Sequence, residues 1–308
     1  MSMTNKDRLL RILNGRVSDR PPHFELEFQL GKEVFGLDIE AVREKDYGSE
    51  AARQDALLKL HIELQLRLVE ELEYASAYFS YEHGPMGITE VKKTVGDKAL
   101  VRVHDWEGVF YMPSGDSMVD FAVRMFEHPD QLHAEARHKC DEAKERIRRQ
   151  VDAGADFFVL CYDFGFNTGP FISPGHFGEF VAPYLAEIVG AVHDLDRKAL
   201  LHSDGDINKL LDQIYATGVD GYQSVDPQGH MDIRAVREQF PDWILMGNVH
   251  CGMLQDVDKQ KIRESVRYCM KYGGIGKPYI FSTSNCIFQG MPIESYRIML
   301  DEYHRILT

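Results

Sequence analysis

From Ala155 onward, short apolar runs alternate strictly with amphipathic stretches, and this alternation limits the possible folds more than any motif does. The runs are "ADFFVLCY" from Ala155, "KALLHS" from Lys198, "DGYQSV" from Asp220, "WILMGNV" from Trp243 and "YIFSTS" from Tyr279. Each has strand length, and several are apolar almost throughout. Strands of that kind are buried on both faces, which means a parallel sheet covered by helices. The spacing predicts those helices over 129–151, 173–195, 207–217, 231–240, 257–272 and 292–307. Gly154, Gly218 and Gly273 each fall just past a helix end, the usual place for a left-handed cap.

The amino-terminal half supplies three more strand candidates. In "HFELEFQL", Phe24, Leu26 and Phe28 alternate with His23, Glu25 and Glu27, the period of a strand. "YASAYFSY" from Tyr74 and "ALVRVH" from Ala99 follow. A helix over 49–72 lies between the first two, with Leu57, Leu60, Leu64 and Leu68 on one face. An opening helix carries Leu9, Leu10, Ile12 and Leu13, with Thr4 or Asn5 able to cap it. A doubly wound sheet would normally place a Gly-rich phosphate loop after its first strand, and "HFELEFQLGKEVFG" has no GxGxxG. Eight strands with intervening helices instead predict a (β/α)8 barrel in the α/β class. We expect one barrel domain over residues 1–308, with an N-terminal helical extension and a loop excursion with a hairpin near 83–116.

Composition narrows the partners. The net charge of −14 disfavours nucleic acid and anionic membranes, because phosphate contacts need clustered Lys and Arg. No stretch approaches the roughly 20 apolar residues of a membrane span. The five cysteines are scattered and form no CxxC, which fits a reducing cytoplasm better than a disulfide framework.

In a (β/α)8 barrel, function collects at the carboxyl ends of the strands. Those ends present Glu27 and Gln29, His83, His104 and Asp105, Tyr162 and Asp163, His202 and Asp204, Asp226, then Asn248, His250 and Cys251, and last Ser284, Asn285 and Cys286. Glu27, Tyr162, Asp163, Asp226 and Asn248 are expected to line one cavity, with Tyr162, Phe164 and Phe166 able to hold an aromatic ring. Bland readings stand beside these. Asp206 and Ser173 read as helix caps, Asp204 also reads as a turn aspartate, and Cys161 reads as core.

The chain resembles the uroporphyrinogen decarboxylase superfamily, and more closely its corrinoid-linked methyltransferase branch. The resemblance runs through "KDRLLRILNGRVSDRPP", "GADFFVLCYDFG", "ISPGHFGEFVAPYLAEIV", "LHSDGDINKLLDQIYATGVDGYQSVDP", "ILMGNVHCGML" and "FSTSNCIFQGMPIESYRIML". It implies a (β/α)8 barrel. Uroporphyrinogen decarboxylases carry Arg-Gln-x-Gly-Arg after the first strand to hold porphyrin carboxylates. This chain has "HFELEFQLGKE" there, with Glu25 and Glu27, so the resemblance does not extend to a polycarboxylate substrate. Methylthiol:corrinoid-type members bind zinc through His-x-Cys after the fifth strand and a further Cys after the eighth. This chain keeps His202, puts Asp204 in place of the first Cys, and has Cys286 near the second place.

On that resemblance the expected zinc ligands are His202, Asp204 and Cys286, with Glu27, Asp163 or Cys251 as alternatives to Asp204. Replacing a thiolate by a carboxylate makes zinc a harder Lewis acid, suited to oxygen. The expected activity is therefore methyl transfer from a small methylated substrate, best an aryl methyl ether, to a Co(I) corrinoid. The corrinoid would arrive on a separate corrinoid-binding protein, since no Asp-x-His-x-x-Gly loop is present. Asp163 is expected to act on the phenol proton or to support a ligand. A metal-independent decarboxylase using Asp163 or Asp226, and a non-catalytic barrel that binds a corrinoid partner, are the alternatives. A homodimer is left open.

Overall fold

The computed structural model describes residues 3–79, 84–115, 117–274 and 276–307. Among these residues nine strands are formed: β1 Ser76–Phe79, β2 Leu100–Asp105, β3 Phe157–Cys161, β4 Gly165–Phe166, β5 Gly169–Pro170, β6 Lys198–His202, β7 Gly221–Ser224, β8 Ile244–Val249 and β9 Tyr279–Thr283. Seven of them make one parallel sheet in the order β1-β2-β3-β6-β7-β8-β9. These are the predicted apolar runs, and every residue from β2 to β9 in this sheet is buried except Lys198. Helices such as Pro129–Asp152, Ala182–His193, Lys259–Cys269 and Ile293–Leu307 connect the strands.

The eighth stave of the barrel is the His23–Phe28 segment, and it differs from the expected regular strand. It touches β9 and its extension through two isolated parallel bridges, His23 with Phe281 and Phe28 with Ile287. Phe281 N donates to the Pro22 carbonyl on one side, and Ala75 N donates to the His23 carbonyl on the other, so the segment closes the sheet into a (β/α)8 barrel. Side chains have taken over much of its hydrogen bonding. Arg102, fully inside the barrel, donates through Nη2 to the carbonyls of Glu25 (2.6 Å) and Leu26 (3.0 Å) and through Nη1 to that of Ser76 (2.9 Å). Glu25 in turn accepts from Thr283 N at 2.8 Å and Thr283 Oγ1 at 2.6 Å. Buried backbone groups need partners, and here a guanidinium and a carboxylate supply them where a ladder would.

The amino-terminal helix Asn5–Leu13 is capped by Thr4 in a capping box with Asp7. The 49–72 prediction appears as Glu50–Glu71, with Ser49 as its cap. The excursion expected near 83–116 takes another form. Gly84–Val95 is a helix that leads directly into β2, an ordinary barrel unit. Ile88, Val91 and Val95 form its buried face, and a Cβ on Gly87 would stand 1.8 Å from the Phe79 ring. Gly87 of "GPMG" thus serves close packing against β1 within a helix, in place of the expected loop. Among the described residues the hairpin lies elsewhere, as β4 and β5 just after β3. The helix expected over 173–195 is broken at Val181, because Pro183 has no N–H to continue the ladder. His83 lies outside the described residues.

Candidate active site

His202 is the last residue of β6 and pairs in register with Cys161 of β3 and Gln223 of β7. Gln223 Nε2 faces the Ser284 carbonyl at 3.5 Å, so its Oε1 is the atom turned to His202 Nδ1. That hydrogen bond puts a proton on Nδ1, and in the neutral ring this tautomer has its lone pair on Nε2. Nε2 faces two carboxylates, Asp163 Oδ1 at 3.7 Å and Asp204 Oδ2 at 3.8 Å. One ligand atom from each of the three residues falls within 4.8 Å of the others. Both separations exceed a hydrogen bond. They are close to the ~3.4 Å between donor atoms that share a tetrahedral zinc at ~2.1 Å. A lone pair facing two anionic oxygens is complementary to a cation, and a second group on Nδ1 is the usual support of a metal-bound histidine.

Three neighbouring turns hold the two aspartates. The Asp204 backbone N donates to Asp163 Oδ1 at 2.9 Å. Asp204 Oδ1 accepts from Ser224 Oγ at 2.7 Å, and its Oδ2 accepts from Asn285 Nδ2. Burial pushes the Asp204 carboxyl up from its ordinary value, with His202 opposing and Asp163 adding to the rise. Gly205 (φ +78°) lets the loop after β6 pass between its neighbours. A Cβ there would lie 2.3 Å from the Gly165 carbonyl, and one on Gly229 would lie 2.1 Å from Gly205. The approach is fixed by Asp206 N donating to the Phe166 carbonyl at 2.8 Å. Ser224 (φ 99°) and Val225 (φ 46°) occupy a region that costs such residues about 1–3 kcal/mol each. That strain sits where Ser224 reaches Asp204. Asp163 is the open side of the group, at 39% side-chain exposure against 30% for Asp204 and 4% for His202.

The structure thus brings together His202, Asp204 and Asp163, the last having been one of the alternatives for the third ligand. Cys286 is not in this group. Its Sγ points to Glu27 Oε2 at 3.9 Å, and burial, with Glu27 beside it, holds the thiol far above its ordinary value. Glu27 is half-buried at the barrel mouth and accepts from Gln29 Nε2 at 3.3 Å.

Four other expected cavity residues have structural duties. Tyr162 is buried and its hydroxyl donates to Asp105, which pairs with Arg146 at 2.8 Å on the outer helix layer. Phe164 is fully buried edge-on against Phe177 at 5.1 Å, in the helix Pro174–Phe180. Asp226 spends its two oxygens on backbone donors, Gly205 N at 3.2 Å and Gln228 N at 2.9 Å, and so caps a turn. Asn248 donates to the Val225 carbonyl, accepts from Cys269 Sγ, and lines a separate outer groove of about 380 Å³ with Tyr268 and Ser265. Strand-end position alone does not say which way a side chain faces. Gln223, Ser224 and Asn285, by contrast, support the site and went unassigned. Only the register that sets Gln223 beside His202 reveals that role.

Among known proteins, the uroporphyrinogen decarboxylase (URO-D) family model matches residues 106–306, more than half of the chain. The uroporphyrinogen decarboxylase of Synechococcus sp. (strain CC9902) is 27% identical over 217 residues, covering 67% of this chain and 58% of that protein. That of Prochlorococcus marinus (strain MIT 9313) is 25% identical over 223 residues, covering 68% and 60%. The chain therefore matches these relatives over less than two thirds of their length. A solved structure described as a methyltransferase from Methanosarcina mazei superposes with a TM-score of 0.78 at 16% identity, covering all of both chains, and so shares the fold. With the matched segment running from the end of β2 into the last helix, the chain belongs to the uroporphyrinogen decarboxylase (URO-D) family.

Proposed function

We propose that this protein is a zinc-dependent methyltransferase that takes a methyl group from an aryl methyl ether and passes it to the Co(I) corrinoid of a separate protein. The observation that carries the reading is the His202 Nε2 lone pair held between two carboxylate oxygens, with its tautomer set by Gln223. His202, Asp204 and Asp163 would hold the metal. Bound there, zinc would supply Lewis acidity towards an ether oxygen. Gln223 selects the tautomer of neutral His202 whose lone pair lies on Nε2, while Ser224 and Asn285 hold Asp204 in position. In the overall exchange the bond from methyl carbon to oxygen breaks and both electrons stay on oxygen. The electron pair of Co(I) forms the new bond to carbon, and the phenolate takes up a proton. Asp163, the most exposed of the three, is the group placed to pass that proton from solvent. The family's porphyrin chemistry is less well supported. Glu25 occupies the region where those decarboxylases carry arginines, and Arg102, a cation inside the barrel, is already bonded to carbonyl groups.

The test is zinc content of the purified protein, followed by incubation with 2-methoxyphenol and a Co(I) corrinoid protein. Bound zinc, methyl–cobalt formation and release of catechol are expected. Decarboxylation of a carboxylate substrate by metal-free protein would overturn the reading in favour of a lyase.

A further inference from the structure

His104 lies on β2, at the same end of the barrel as His202, and the mechanism above makes no use of it. Arg102 and His104 share one face of the strand, and Asp105 points the other way to Arg146. Arg102 reaches the Ser76, Glu25 and Leu26 carbonyls across the barrel, so this shared face is the inner one. His104 is 1% exposed and stacks flat on Tyr78, with ring centroids 4.8 Å apart and planes 8° from parallel. Trp106, 40% exposed, meets it edge-on at 6.1 Å. Arg102 Nε donates to His104 Nε2 at 3.1 Å. An arginine cannot accept, so His104 Nε2 must carry its lone pair there and the ring proton must sit on Nδ1. That Nδ1 is buried and has no hydrogen-bond partner among the described residues. A buried donor left unpaired is costly, and a built-in orphan calls for an explanation.

We infer that His104 is a substrate-binding donor, whose Nδ1–H hydrogen-bonds an oxygen of the aryl methyl ether. The two ring nitrogens diverge, so this N–H leaves on the side away from Arg102, which is two residues nearer the barrel floor. Tyr78 on its face and Trp106 at its edge hold the ring's orientation. Burial, with Arg102 and His202 adding, drives the imidazole far below its ordinary value, so the ring stays neutral and acts as a donor without becoming a cation. A fixed neutral donor reads an acceptor oxygen and rejects an analogue that lacks one.

The inference rests on the aryl ether reading, and the test separates the two. The zinc-loaded protein, labelled with ¹⁵N-histidine, is titrated with 2-methoxyphenol. The His104 Nδ1 signal should be that of a protonated nitrogen in the free protein, and its proton should move downfield on binding. In parallel, His104→Phe, which keeps the stack on Tyr78, should bind 2-methoxyphenol about tenfold more weakly at unchanged zinc content. His104→Gln can accept from Arg102 and still donate, and should recover most of that loss. Binding without movement of the Nδ1 proton overturns the role of His104 alone, and so does full affinity in a folded His104→Phe. Absence of 2-methoxyphenol binding to the zinc-loaded wild type overturns both this inference and the aryl ether reading. The wild-type titration decides the matter even if the phenylalanine variant fails to fold.

Discussion

Glu25 makes a quantitative test of how the barrel is closed. It is fully buried, it accepts three hydrogen bonds on Oε2 from Thr283 N, Thr283 Oγ1 and Ser282 Oγ, and among the described residues its Oε1 has none. Burial outweighs those bonds and raises its pKa from 4.5 to about 7. Because the folded value lies above the unfolded one, the folded state holds this proton more tightly. Its contribution to stability is therefore largest below 4.5 and is lost as pH rises through about 7. A shift of that size corresponds to roughly 3 kcal/mol. The raw pH profile of the wild type conceals it, because two buried histidines act in the opposite sense. His23 is lowered to about 3, chiefly by burial, and His104 lies well below its ordinary value, so both lose stability as pH falls below 6.5. The variant Glu25→Gln isolates the carboxyl. Urea unfolding of both proteins at half-unit steps from pH 4.5 to 8, followed by the fluorescence of buried Trp243, gives the difference directly. Wild type minus variant should fall by roughly 3 kcal/mol across the range. A difference that stays flat would refute the claim that Glu25 is neutral in the closed barrel at low pH.

Other expectations follow from the site. Elemental analysis should find zinc lost from His202→Ala and Asp163→Asn but retained in Cys286→Ser; zinc loss from the last would restore the cysteine as a ligand. Gly205→Ala forces a Cβ to within 2.3 Å of the Gly165 carbonyl at positive φ and should cost about 2–4 kcal/mol in denaturant unfolding while also weakening zinc binding. Unchanged stability would mean that the loop is not clamped. Tyr162→Phe should leave 2-methoxyphenol affinity unchanged but lower stability by about 1–2 kcal/mol through its bond to Asp105, and a selective loss of affinity would return Tyr162 to the substrate.

Much of the fold could be read in the sequence because parallel barrel strands are apolar on both faces, and such runs stand out one by one. The exceptions share a cause. "HFELEFQL" alternates as a strand should, yet Arg102, distant in sequence, and the segment's own Glu25 decide how its carbonyls and neighbours are bonded. "GPMG" has turn composition, but Gly87 is small because the Phe79 ring fills its place. At the site, His202, Asp204 and Asp163 stand at strand ends and could be named. Tyr162, Phe164, Asp226 and Asn248 stand at strand ends too, and facing, which depends on register and twist, removes them. Cys286 was assigned as a ligand through resemblance, while its neighbour Asn285 is the residue that touches Asp204.

The hydrogen bonds that join Glu25 to Ser282 and Thr283 link positions 257 and 258 residues apart. A chain emerging from the ribosome makes Arg102 and Glu25 early but cannot close the barrel until its last strand is out. Until then β1 and the His23–Phe28 segment present an open sheet edge, with a buried-type arginine lacking its lid. Contacts of such separation slow folding and prolong exposure of that edge. Closing the seam between the His23–Phe28 segment and β9 is thus the step at which a nascent molecule is most open to aggregation, and substitutions there should lower the yield of folded protein before they alter its chemistry.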